Sequence, residues 1–399
     1  MSELRTILCL ASFHKGHEFI REAKREGWRV YLLTSESLRG AEWPSEALDD
    51  IFFMPDIDKV WNRADTIRAV SYMARSRKID RIAALDDFDV ETAAALREHL
   101  RVPGMGETTA RYFRDKLAMR LKARARGIAM PEFTAVINHD DLREFMRTVP
   151  GPWLLKPRLQ ASALGIFKIN HPDELWPRLE QLGDDASFHV LERFIPGQVF
   201  HVDSIISEKK PVFAIAARYG APPLDVMHGG GIFTSAICEH GSDDERALIV
   251  ANAAVLRAMG HVRGASHTEF IKAVDGTFHF LETSARVGGA NIMDLVQAAT
   301  GLNLWAEWAK VELQEAAYKV HPTCKEYAGL LISLARQEWP DLSVFSDKEV
   351  VLRIAKRHHV GLVWHSRSFA RVEELERRYV AQVRRDFHAS QPAPAKATD

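Results

Sequence analysis

The sequence predicts an α/β unit followed by a larger α+β unit, and three observations carry that prediction. Over the first hundred residues, short apolar runs alternate with amphipathic stretches, the pattern of βαβ units around a parallel sheet. From Phe188 the pattern changes to successive apolar runs that read as an antiparallel sheet. Asp275-Gly276 then joins two such runs, the strongest short hairpin signal in the chain. With 399 residues there is room for two or three packed domains, and 46% apolar with 27% charged residues is ordinary globular composition.

Each element follows from its local pattern. Thr6 to Ala11, Arg29 to Leu33 and Ile79 to Leu85 read as strands, with Glu18 to Glu26 and Thr66 to Arg75 as the helices between them. The first strand ends in Ser12-Phe13-His14-Lys15-Gly16, without the Gly-x-Gly-x-x-Gly of a dinucleotide turn, which argues against NAD. Asp86, Asp87 and Asp89 follow the last of these strands. They stand either at the ligand end of an open α/β sheet or as caps of a helix from Val90. Pro103-Gly104 ends this unit and sets a boundary near residue 105.

A basic helical stretch, Thr108 to Arg126, comes next and leads into a short mixed unit. Strands are then expected at Phe188 to Leu191, Val199 to Ser207, Val212 to Arg218, Ala265 to Val274 and Thr277 to Thr283. Helices are expected at Asp244 to Met259 and Leu304 to Ala317. Residues 321–388 add strands and a basic helix, Val372 to Phe387. Residues 389–399, rich in Pro and Ala, read as a frayed tail. The divisions are therefore 1–105, 106–188, 189–320, 321–388 and 389–399.

Composition also excludes functions. The balance of 53 Lys and Arg against 54 Asp and Glu gives no global field for nucleic acid or an anionic membrane. Cys9, Cys238 and Cys324 are too few and too scattered for a disulfide framework or a cysteine zinc site. No apolar run approaches the roughly 18 residues of a membrane span, and the run from Ile7 to Ala11 lacks the flanks of a signal peptide. These observations predict a cytoplasmic protein.

The residues that point to chemistry cluster late in the chain. Glu269 and Glu282 lie at similar depth on either side of the Asp275-Gly276 turn, so both carboxylates can share one face. Two such charges favour a hard divalent cation between them, although two solvated strand carboxylates would give the same pattern. Arg286 and the pair Gly288-Gly289 follow, a guanidinium beside a flexible turn that suits a carboxylate or phosphoryl group as well as a plain salt bridge. Lys156 ends the apolar run Trp153 to Leu155 and precedes a loop of small residues, Gln160 to Gly165, which suits phosphate. Lys116 begins a helix whose first turn favours anions, and is also what an exposed helical lysine looks like. The segment Met227 to Phe233, with three consecutive glycines, reads equally as a lid or as a plain loop. His228 and His267 are available to a substrate carboxylate or as a base, or as ordinary satisfied polar residues.

As an ordered set these motifs resemble the ATP-grasp superfamily, in particular carboxylate–amine ligases such as bacterial dipeptide ligases, over residues 1 to about 320. The resemblance implies an ATP-grasp fold with an N-terminal Rossmann-like domain, a small lid subdomain, an antiparallel-sheet catalytic subdomain and an added C-terminal subdomain. It implies ATP bound by Lys116, Lys156 and the covering loop with Ser162 and Ala163. The adenine hinge would be Glu192-Arg193-Phe194-Ile195, with Gln198 near the ribose. Glu269, Glu282 and Ser284 would hold Mg²⁺, or Mn²⁺ in its place. Arg286 would steady the acyl phosphate, with Gly288, Gly289, His228 and His267 around the substrates. Three departures stand out: Val199 follows Gln198 where the family has a ribose glutamate, Ser284 replaces a metal-binding asparagine, and the covering loop keeps only Gly165.

The implied reaction is ATP-dependent activation of a small carboxylate as an acyl phosphate, followed by capture by an amine. A carboxyphosphate-forming carboxylase and a nucleotide-binding module without turnover are the alternatives. The expected partners are small molecules, with no nucleic acid and no membrane, and the resemblance leaves a homodimer open.

Overall fold

A computed structural model describes residues 4–161 and 164–390. Three main sheets organise them. The first is parallel, in the order Asp50–Met54, Arg29–Ser35, Thr6–Ala11, Arg81–Ala84. All six residues of Thr6–Ala11 are buried, as expected of a central strand covered on both faces. Helix His17–Arg25 packs on one side through Phe19, Ile20 and Ala23, and helix Val90–Leu100 on the other through Ala93, Ala94 and Leu96.

The expected helix over Thr108 to Arg126 is two helices, Glu107–Arg111 and Lys116–Arg124. Asp115 causes the break: its carboxylate accepts the amide of Leu117 at 2.9 Å and caps the second helix. The second sheet follows, in the order Phe133–Ala135, His189–Arg193, Trp153–Pro157, Phe167–Ile169. His189–Arg193 looks like the antiparallel strands that follow it in sequence, yet it pairs here, so the 188/189 division cuts into this sheet.

The third sheet has eight strands in the order Phe278–Ser284, Gly264–Ala273, Gly197–Ser207, Lys210–Tyr219, Phe233–Ile237, Tyr327–Leu334, His359–Ser366, Val350–Lys356. The strands of residues 321–388 thus extend the same sheet rather than forming one of their own. Helix Asp243–Met259 covers one face through Leu248, Val255 and Leu256, and helix Phe369–Asp386 covers its far end through Val372, Leu375 and Tyr379. Helices Ile292–Thr300 and Leu304–Gln314 cover the opposite face. The first domain docks on these helices, with Phe19 and Trp308 edge to face at 5.2 Å. The carboxyl ends of the parallel strands, the second sheet and the open part of the third sheet's face enclose one cavity of about 540 Å³. Residues 391–399, expected as a tail, lie outside the described residues.

Candidate active site

The hairpin puts Glu269 directly opposite Glu282, in register on neighbouring strands, and both line the cavity. Gly276 takes φ 86° in its turn, a conformation natural to glycine. Ser284 stands opposite His267 on the same face, so a strip of four polar side chains forms the floor.

Three cations border this floor, each with an acid of the protein. Lys116 Nζ lies 2.8 Å from Glu282 Oε2 and donates to the carbonyl of Gln160 at 2.7 Å. Lys156 Nζ donates to Glu192 Oε2 at 2.8 Å, and Arg120 Nε lies 2.8 Å from Glu192 Oε1. Glu192 is fully buried. Burial alone would raise its pKa, but the two cations overcome that and bring it down to about 2. Arg286 Nε donates to Asp87 Oδ2 at 2.8 Å, and Ser284 Oγ donates to the same oxygen at 3.2 Å. The pKa of Asp87 is lowered, because Arg286 and then Arg114 outweigh its burial.

Beside the floor, on the same face of the sheet, runs a buried polar chain. Ser235 Oγ meets His201 Nε2 at 2.7 Å, His201 Nδ1 meets Asp203 Oδ2 at 2.7 Å, and Asp203 Oδ1 meets His267 Nδ1 at 2.9 Å. His267 Nε2 lies 3.5 Å from Glu269 Oε1, and the Tyr219 hydroxyl donates to that oxygen at 2.8 Å. Burial would depress His267, yet Asp203 raises it to about 10, and Asp203 is correspondingly lowered. Gly288 is packed against this chain: a Cβ there would meet Asp203 Oδ1, His267 Nδ1 and Ile292 Cγ2 at 3.0 Å each.

The predicted residues thus divide. Lys116, Lys156, Arg193, Phe194, Ile195, His267, Glu269, Glu282, Ser284, Arg286 and Gly289 all line the cavity. Glu192 does not; it lies beneath Lys156 as a counter-ion, away from the position beside adenine that the hinge motif implied. Gln198 does not either, since its amide donates to the carbonyls of Tyr219 and Val199. Gly288 does not line it either, and packs against Asp203 and His267. Ser162, Ala163 and the side chain of His228 lie outside the described residues. The glycine-rich segment is partly helical, Pro223–Gly229, and its Leu224 to Met227 form a cavity wall. Of the acidic cluster, Asp87 lines the cavity, Asp86 accepts the amide of Phe88 at 3.1 Å in the single turn Asp87–Asp89, and among the described residues no side chain caps the helix from Val90.

Sequence reasoning missed Asp203, His201 and Arg120. The signal for the first two is His201 and Asp203 two apart in the run Val199 to Ile206, apolar but for these and Ser204, where period two aims both at one face.

The architecture is that of the ATP-grasp fold. The chain resembles the carboxylate–amine ligases of that fold, as the ordered motifs implied. A solved L-amino acid ligase from Bacillus licheniformis superposes with a TM-score of 0.77 at 19% identity, covering 98% of this chain and 100% of that one. The L-arginine-specific L-amino acid ligase of Bacillus subtilis is 25% identical over 232 residues, 57% of this chain and 56% of that protein. A D-alanine–D-alanine ligase of Dechloromonas aromatica is 22% identical over 192 residues, 48% of this chain and 63% of that protein. The chain thus spans between half and two-thirds of the length of these two curated relatives. No protein-family model matches it. Among the described residues no helix is long and apolar enough to cross a membrane.

Proposed function

We propose that the chain is an ATP- and Mg²⁺-dependent ligase that joins a small carboxylate to an amine with release of ADP and phosphate. The observation that carries this reading is the convergence of Glu269, Glu282, Lys116, Lys156 and Arg286 on one cavity. The donor set fits a hard cation, because two carboxylates face each other from paired strands and Ser284 offers a third oxygen beside them. Glu269 and Glu282 would hold Mg²⁺, or Mn²⁺ in its place, and the ion when bound offsets charge on the transferring phosphoryl group.

The chain's own groups account for the rest. Lys116 and Lys156 bind phosphate oxygens and orient the γ-phosphorus toward the carboxylate substrate, whose oxygen attacks it to give an acyl phosphate and ADP. The amine nitrogen then attacks the acyl carbon, the C–O bond to phosphate breaks, and the amine gives up a proton. Arg286 stabilises the oxyanion of that second step. No side-chain nucleophile is needed, and the buried thiols of Cys9 and Cys238 take no part. The test is ADP release from Mg²⁺-ATP against pairs of small acids and amines. Release that needs both partners, with a product one water lighter than their sum, is the expected result; release that needs bicarbonate instead would transfer the reading to a carboxylase.

A further inference from the structure

The cavity does not stop at the charged floor. On the face that bears Glu282, Glu269 and His267, the strand register continues through Tyr219 to Phe233, and Phe233 pairs directly with Ile332. Two strand spacings separate Tyr219 from Ile332, about 10 Å. Elsewhere this face is sealed: Leu330, Val363 and Ile237 are at most 1% exposed under the helices that cover them. Phe233 and Ile332 are only half-buried although they sit in the middle of an eight-stranded sheet, and both line the cavity. Helix Pro223–Gly229 faces them across the cavity with Leu224, Val226 and Met227. The Tyr219 hydroxyl is already engaged by Glu269, and its ring packs on Phe233 at 5.5 Å between centroids.

This apolar lobe is separate from the apolar surface at the hinge, where Leu154, Ile195 and Leu281 line the other end of the cavity beside Lys156. The charged floor lies between the two ends, so one nucleotide cannot fill both while keeping its phosphates on the floor. Apolar side chains left uncovered in mid-sheet gain stability only when something apolar covers them. Resting on the ligase reading above, we propose that one of the two substrates is an amino acid with a bulky apolar side chain, branched or aromatic, held between Phe233, Ile332 and helix Pro223–Gly229. Its reacting group would then lie past the Tyr219 ring, which packs on Phe233 at 5.5 Å and whose hydroxyl meets Glu269 at 2.8 Å.

The test uses the full chain with Mg²⁺-ATP and amino-acid pairs that vary one side chain through alanine, serine, aspartate, lysine, leucine and phenylalanine. Leucine or phenylalanine should exceed alanine by at least about tenfold in kcat/KM, the scale of discrimination in an apolar pocket. In Ile332→Phe the leucine-to-alanine ratio should fall by about tenfold, with calorimetric ATP binding as the check on folding. A preference for aspartate, lysine or alanine, or an unchanged ratio in the variant, overturns the inference and leaves the ligase reading standing. Absence of turnover with every pair sinks the ligase reading instead. The lobe is then judged by calorimetry of leucine and aspartate with a non-hydrolysable ATP analogue: leucine binding that Ile332→Phe weakens supports it, and no preference for leucine refutes it.

Discussion

Glu192 is the place where stability and site geometry depend most directly on one side chain. Its carboxylate has no solvent exposure and sits between Arg120, itself fully buried, and Lys156. Substituting Glu192→Gln leaves two cations facing a neutral amide, and breaking a buried pair in this way costs about 3 to 5 kcal/mol. The lowered carboxyl pKa corresponds to a free energy of similar size. The carboxyl moves from 4.5 to about 2 on folding, and at about 1.4 kcal/mol per tenfold change this is about 3 kcal/mol. Because the folded value is the lower one, that stability is present above pH 4.5 and is lost as pH falls toward 2. The assay is urea unfolding at pH 7 and pH 4 for wild type, Glu192→Gln and the double variant with Arg120→Met. The single variant should lose about 3 kcal/mol at pH 7, and the double variant should recover part of it, since replacing both partners is far less costly than orphaning one. A loss under about 1 kcal/mol, or strictly additive effects, would refute the account of Glu192 as the buried counter-ion of both cations.

Five further outcomes are expected. Asp203→Asn should bring His267, raised to about 10 in the native protein, back toward the ordinary histidine range; its imidazole NMR signals, unchanging between pH 6 and 8 in wild type, should then titrate. Since His267 is raised on folding, its contribution to stability is complete below about pH 6.5 and disappears as pH rises through about 10, which alkaline unfolding can follow. Gly288→Ala forces a methyl into three contacts at 3.0 Å and should cost about 1 to 3 kcal/mol in thermal unfolding, with turnover reduced. Glu282→Gln should abolish ADP release while the circular dichroism spectrum stays native; retained turnover would count against the proposed metal role. Arg286→Ala should lower kcat far more than ATP affinity, and a pure loss of ATP binding would contradict its proposed place in acyl transfer.

What was legible in the sequence follows the range of the interactions concerned. The Asp275-Gly276 turn fixes the register of its own hairpin, so the pairing of Glu269 with Glu282 could be read by counting inward. The basic stretch from Thr108 was read as one helix because its composition stays helical throughout, and only the capping geometry of Asp115 breaks it. Glu192 resembles part of a nucleotide hinge because its neighbours Arg193 and Ile195 line the cavity; nothing local says that Arg120, 72 residues away, turns its carboxylate inward. Continuity of the C-terminal strands with the third sheet was likewise invisible, since pairing of Phe233–Ile237 with Tyr327–Leu334 spans a long stretch of chain with no turn signal to announce it.

The three cation–acid pairs connect these long-range contacts to the proposed chemistry. Lys116 with Glu282 joins helix Lys116–Arg124 to the eight-stranded sheet, Lys156 with Glu192 lies within the second sheet, and Arg286 with Asp87 joins the eight-stranded sheet to the first domain. A buried cation without an anion is costly, so each partner keeps its cation in place near the cavity. A phosphate or carboxylate entering the cavity competes with these acids for the same cations. Glu282 is distinct among them, because losing Lys116 to a phosphate would free its carboxylate for the metal ion that accompanies that phosphate. Substrate binding and release of the metal ligand would then be a single exchange. Lys116→Ala should on this argument weaken ATP binding at low Mg²⁺ but strengthen binding of Mn²⁺ without nucleotide, and a parallel loss of both would show that Lys116 and Glu282 do not exchange partners.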